Sequence, residues 1–143
     1  MEKMAKILVV EDEEPVRQLL CDLLAEAGCE TAQAATGREA LARFDAERFD
    51  AVFTDIGMPG MNGWELTRCL RERDASLPVA VITGWGETVG SAQKESARVD
   101  WLLAKPFSMA QIVEIGLEVV ERLKAAGGAR EPRREDETCD VTC

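Results

Sequence analysis

The stretch Ala51-Val52-Phe53-Thr54-Asp55-Ile56-Gly57-Met58-Pro59-Gly60-Met61-Asn62-Gly63 decides the fold. Its first four residues are short and strand-favouring, and they run straight into an aspartate followed by a loop dense in Gly, Pro and Asn. That order predicts a buried strand with Asp55 standing at its exposed carboxyl end, which is where open α/β sheets bind ligands. A carboxylate there is costly unless something compensates it. Two other apolar runs end in suitable groups: Lys6 to Val10 hands over to Glu11 and Asp12, and Trp101 to Ala104 hands over to Lys105.

At 143 residues the chain is long enough for one sizeable core and too short for two ordinary domains. With 46% hydrophobic and 31% charged residues it reads as a soluble globular protein. Its apolar runs fall far below the roughly 20 residues that span a bilayer, and the first residues lack the apolar core of a signal peptide, so a cytoplasmic protein is expected. A net charge of -10 argues against a nucleic-acid surface, which needs clustered Lys and Arg. Cys21, Cys29, Cys69, Cys139 and Cys143 form no close pair, and there is no histidine to complete a zinc site, so reduced thiols are expected. The absence of histidine also removes the commonest general base.

In chain order, the strand from Lys6 to Val10 precedes an acidic turn, Pro15 opens a helix, and Val16, Leu19, Leu20, Leu23 and Leu24 form its apolar stripe up to Ala27-Gly28. Cys29 to Ala35 is a weak strand. Ala40, Leu41 and Phe44 mark a second helix ending near Glu47. After the third strand, Asn62 caps a helix carrying Leu66, Cys69 and Leu70. Pro78 introduces a fourth strand, Val79 to Ile82, delivered into Thr83-Gly84-Trp85-Gly86, and a polar fourth helix is expected between Thr88 and Arg98. Ser108 caps a last, long helix with Met109, Ile112, Val113, Val120 and Leu123 inward. The ordered unit is expected over residues 1–126. Residues 127–143, nearly free of apolar side chains, read as a disordered acidic and polar tail that carries no output domain.

Strict alternation of strands and helices predicts an α/β fold: a flavodoxin-like, doubly wound, five-stranded parallel sheet with helices on both faces. Right-handed crossovers limit the layout to a few doubly wound orders, of which 2-1-3-4-5 places the ends of the first and third strands side by side. Glu11 and Asp12 then lie beside Asp55, with Thr83 and Lys105 presented from the other side. Three converging carboxylates need protons or a cation, and Mg²⁺, a hard ion that prefers oxygen, suits them. The set supports phosphoryl transfer onto a carboxylate: Asp55 attacks, while a divalent cation, the Lys105 ammonium and the Thr83 hydroxyl neutralise the transferring oxygens.

Val9-Val10-Glu11-Asp12-Glu13, Thr54 through Gly63, Val81-Ile82-Thr83-Gly84 and Ala104-Lys105-Pro106-Phe107 resemble the receiver domains of two-component response regulators, in order from about Lys6 to Leu123. The resemblance implies that Asp55 is phosphorylated by a partner histidine kinase or phosphotransfer protein. It implies that Asp12, Asp55 and the main-chain carbonyl of Gly57 bind Mg²⁺ directly, with Glu11 acting through water. Lys105 would contact the phosphoryl group, and Thr83 would report it to a protein output partner through the face of the fourth helix, fifth strand and fifth helix. Neither nucleic acid nor membrane is expected as a partner, and the domain is not an enzyme in the ordinary sense. In two respects the chain departs from the family: Glu11 stands where Asp is frequent, and Leu102 stands where an aromatic switch residue is common, with Trp101 one place earlier. Trp85, two places after Thr83, is expected to shield the phosphate from water. A phosphatase similar to the haloacid-dehalogenase superfamily would need a second Asp where Gly57 stands. A flavin carrier would need a Ser/Thr phosphate loop after the first strand, and an unphosphorylated interaction module of the same fold would not need the full set of side chains.

Overall fold

The computed structural model describes residues 4–83 and 99–125. Five strands and four helices lie in the described residues: β1 (Lys6–Val10), α1 (Glu14–Glu26), β2 (Glu30–Ala34), α2 (Gly37–Ala46), β3 (Ala51–Asp55), α3 (Gly63–Arg73), β4 (Val79–Thr83), β5 (Trp101–Ala104) and α4 (Met109–Ala125). All neighbouring strands pair in parallel, in the order β2-β1-β3-β4-β5. This is the flavodoxin-like doubly wound sheet expected from the alternation. Val10 pairs with Thr54 and Thr83 with Ala104, so the carboxyl ends of four strands finish almost level.

The continuous apolar character of β1, β3 and β4 follows from burial on both faces. Ile7, Val9, Phe53 and Ile82 pack on one side under α1 and α4. Leu8, Val10, Val52 and Val81 pack on the other under α2 and α3. The caps follow local chemistry. Thr36 accepts from Glu39 N–H to start α2, and Asn62 with Glu65 makes a reciprocal capping box on α3. Ser108 Oγ likewise accepts from Gln111 N–H at 3.1 Å.

Two apolar positions depart from the expected pattern. Met109 is 62% exposed, because the first turn of α4 precedes Ile112, where the helix first meets the sheet. Leu19, at 39% exposed, lies on the rim of the α1 stripe that Leu20, Leu23 and Leu24 bury. Trp64, in contrast, is fully packed beneath α3. Gly116 lets α4 approach α1 closely, since a Cβ there would lie 2.8 Å from Ala27 Cβ. Cys21, Cys29 and Cys69 are buried thiols. Burial pushes the Cys29 thiol up to about 11 and raises that of Cys21, which makes both poor nucleophiles. The expected helix from Thr88 to Arg98, the Gly84-Trp85-Gly86 turn, the tail from 127 and its two cysteines lie outside the described residues.

Candidate functional site

Alternate residues of a strand face opposite sides of the sheet. Continuing the parity of Ile7 and Val9 beyond β1 brings Glu11 to the α1/α4 side; Ala51 and Phe53 bring Asp55 to the same side, and Trp101 and Leu103 bring Lys105 there. The ladders persist past the strand ends to hold this parity. Glu11 N–H donates to Ala34 O at 3.1 Å, Ile56 N–H to Ile82 O at 3.0 Å and Lys105 N–H to Thr83 O at 2.8 Å.

The result is a compact acidic cleft. Lys105 Nζ stands 3.2 Å from Glu11 Oε1 and 3.2 Å from Asp55 Oδ2. Glu11, Asp12 and Asp55 each offer an oxygen within 4.8 Å of the others. Glu11 is 1% exposed and Asp55 5%, while Asp12 is open to solvent. Burial, reinforced by the facing Asp55 carboxylate and only partly offset by Lys105, pushes the Glu11 carboxyl up to about 8. Burial alone would lower the Lys105 ammonium, but its contacts with Glu11 and Asp55 outweigh that and hold it above its ordinary value.

One polar atom is left over. Among the described residues Glu11 Oε2 is buried with no hydrogen-bond partner, which is costly for a carboxylate oxygen. An orphaned oxygen beside two further carboxylates is a donor set suited to a hard divalent cation. The residues present therefore fit Mg²⁺.

The loop after β3 is held tightly. Thr54 Oγ1 donates to Asp55 O at 3.0 Å, Gly57 N–H reaches Asp55 Oδ1 at 3.4 Å, and Gly63 N–H donates to Ile56 O at 3.0 Å. A Cβ on Gly63 would collide with the Asp55 carbonyl oxygen and lie 2.9 Å from Ile56 Cα, so α3 can start here only from glycine. Thr83 ends β4 on the opposite parity, with Val79 and Val81, and its hydroxyl donates to Leu103 O at 3.3 Å. Trp101 and Leu102 point to opposite faces, as alternation requires. Trp101 packs against the core with the Arg122 guanidinium 4.6 Å from its ring centroid, and Leu102 is exposed. The Lys105–Pro106 peptide is cis. A separate groove of about 260 Å³ between β5 and α4, lined by Trp101, Leu103 and Ile115 among others, shares no lining residue with the cleft.

The sequence reading missed Arg17, which donates from Nη1 to Glu11 O at 2.8 Å and from Nε to Gln33 Oε1 at 2.9 Å. It also missed Asp50 and Asp100 at the far end of the sheet. Each stands one residue before a strand, a repeated pattern that was visible in the sequence.

The fold and the cleft define a class: doubly wound α/β domains whose switch point holds three carboxylates and a lysine. Comparison narrows the class: residues 7–125 match the Response regulator receiver domain family, and the chain belongs to it. It is 33% identical over 123 residues to the response regulator receiver protein CpdR of Brucella abortus, covering 86% of this chain and all of that one. It is 36% identical over 120 residues to hybrid signal transduction histidine kinase L of Dictyostelium discoideum, covering 78% of this chain. It spans 7% of that kinase's length and 45% of another relative, the transcriptional regulatory protein ResD of Bacillus subtilis. The crystal structure of a CheY-like receiver domain protein from Methanospirillum hungatei superposes with a TM-score of 0.79 at 26% identity, covering 87% of this chain and all of that one.

Proposed function

We propose that Asp55 accepts a phosphoryl group from a histidine kinase or phosphotransfer protein, and that the modification switches a protein-binding surface. The observation that carries this reading is the convergence of the Glu11, Asp12 and Asp55 oxygens around a lysine that touches two of them. In the transfer an Asp55 oxygen bonds to phosphorus as the P–N bond of the donor phosphohistidine breaks, and its electron pair stays on the imidazole nitrogen. No general base is required, in keeping with a chain that has no histidine. Asp12, Asp55 and the carbonyl of Gly57 would hold Mg²⁺ directly, with Glu11 through water. The bound ion supplies positive charge for the transferring oxygens.

Lys105 supports the same step from the protein side. Its ammonium is already 3.2 Å from the attacking carboxylate and can follow charge onto the phosphoryl oxygens. Thr83 would leave Leu103 O to bond the new phosphate, and that exchange would alter the edge of the sheet at β5 and α4, where a protein output partner would bind. No described helix is long and apolar enough to cross a membrane, and a cytoplasmic setting fits such a partner. Incubation with Mg²⁺ and acetyl phosphate should add one phosphoryl mass to the parent chain and none to Asp55→Asn. Modification of the Asn variant at the parent rate would defeat the assignment.

A further inference from the structure

Glu11 and Asp12 are neighbours, so strand alternation alone would send their side chains to opposite sides of the sheet. Both nevertheless offer oxygens to one point with Asp55, which requires the chain to leave strand geometry between them. The Glu11 N–H keeps its place on the ladder, donating to Ala34 O. Its carbonyl does not. Continuing the two-residue period that pairs Glu30 N–H with Ala5 O, the next rung would come from Thr36 N–H, and Thr36 has left β2 to cap α2.

The Arg17 guanidinium fills that rung. One nitrogen bonds Glu11 O at 2.8 Å, a second bonds Gln33 Oε1 of β2 at 2.9 Å, and the Arg17 backbone N–H bonds Glu13 O at 2.9 Å. A single residue thus ties the first turns of α1 to the ends of β1 and β2. The planar fork fixes the peptide plane between Glu11 and Asp12 in a way that a flexible ammonium could not.

We propose that Arg17 is a positioning residue for divalent-cation binding, holding the Glu11–Asp12 peptide so that the Asp12 carboxylate faces those of Glu11 and Asp55. The inference rests on reading those three carboxylates as a cation site. Two effects of removing Arg17 have opposite signs. Loss of a nearby positive charge would tighten Mg²⁺ binding, whereas loss of positioning weakens it.

Calorimetric titration of MgCl₂ into the full chain separates them. Arg17→Met is expected to weaken Mg²⁺ binding about tenfold, the scale of outer-shell partners of metal ligands. Arg17→Lys, which keeps the charge and loses the fork, is expected to remain weakened. Equal or tighter binding by Arg17→Met, or parent-like binding by Arg17→Lys, overturns the proposal. Should Arg17→Met fail to fold, Gln33→Ala, which frees only one nitrogen of the fork, must weaken binding in the same direction; unchanged affinity there overturns it too. A parent chain that binds no Mg²⁺ overturns the cation site itself and this inference with it, while a parent that binds beside an unaffected Arg17→Met removes only the role of Arg17.

Discussion

At the amino-terminal end of the sheet, Asp50 and Asp100 each precede a strand and take the first N–H of its neighbour, Lys6 N–H at 2.8 Å and Val79 N–H at 2.9 Å. Each returns the bond through its own N–H, to Lys6 O and Val79 O. Arg71 and Arg122 add guanidinium contacts at 3.3 Å to the two oxygens of Asp100. At the carboxyl-terminal end Glu11 and Asp55 share one lysine, and an oxygen of Glu11 has no partner. Asp100, with three donors, and Asp50, in its paired exchange with Lys6, hold neighbouring strands in register. Glu11, with one oxygen left unpartnered, is the acid that a bound cation would compensate.

Asp100→Ala should cost about 2 kcal/mol in urea unfolding, since it strips the anion from a backbone N–H and from two solvent-screened guanidinium contacts, and should leave Mg²⁺ affinity unchanged. Parent-like stability would erase the contrast. Gly63→Ala should cost about 2 kcal/mol by forcing α3 off the Asp55 carbonyl, and should slow phosphorylation as well. An effect on stability without one on phosphorylation would show that the loop is less rigid than its bonds imply.

Glu11→Gln tests the contrast from the other direction. A carboxyl raised from 4.5 to about 8 keeps its proton more tightly folded than unfolded, so native stability falls as pH rises through that interval. In chelator at pH 8 the variant should therefore be more stable than the parent by about 1 kcal/mol or more. The gain should vanish near pH 4.5, and Mg²⁺ binding should weaken. A variant less stable at pH 8 would mean that Glu11 is better compensated than its surroundings indicate. The smallest effect is expected of Arg122→Ala, about 0.5 kcal/mol, because its contacts with Asp100 and Trp101 are half exposed.

Most of this architecture was legible in the chain because each strand end coincides with a change of residue type. Asp55, Lys105 and Glu11 interrupt apolar runs, and alternation with right-handed crossovers narrowed the strand order to a few. Less legible was anything set by long-range approach. Met109 belongs to the apolar period of α4 yet lies outside the sheet's footprint. Arg17 sits on a polar helix face where its type is unremarkable, and only the missing rung at Thr36 gives it work to do. Gly63 could be read as a turn former, but its need to be glycine comes from the carbonyl of Asp55 pressed against it. Thr83 was placed correctly at a strand end. Its bond to Leu103 O depends on register with β5, which no single strand encodes.

The shared parity of residues 11, 55 and 105 makes the cleft a matter of counting by twos. Loss or gain of one codon within β1, β3 or β5 would move a cleft side chain to the opposite layer while leaving the helices a sheet to pack on. A change of two codons would keep the layer and alter only the height. Lineages of this domain should therefore tolerate length variation in the connecting loops and, within these three strands, accept it only in pairs.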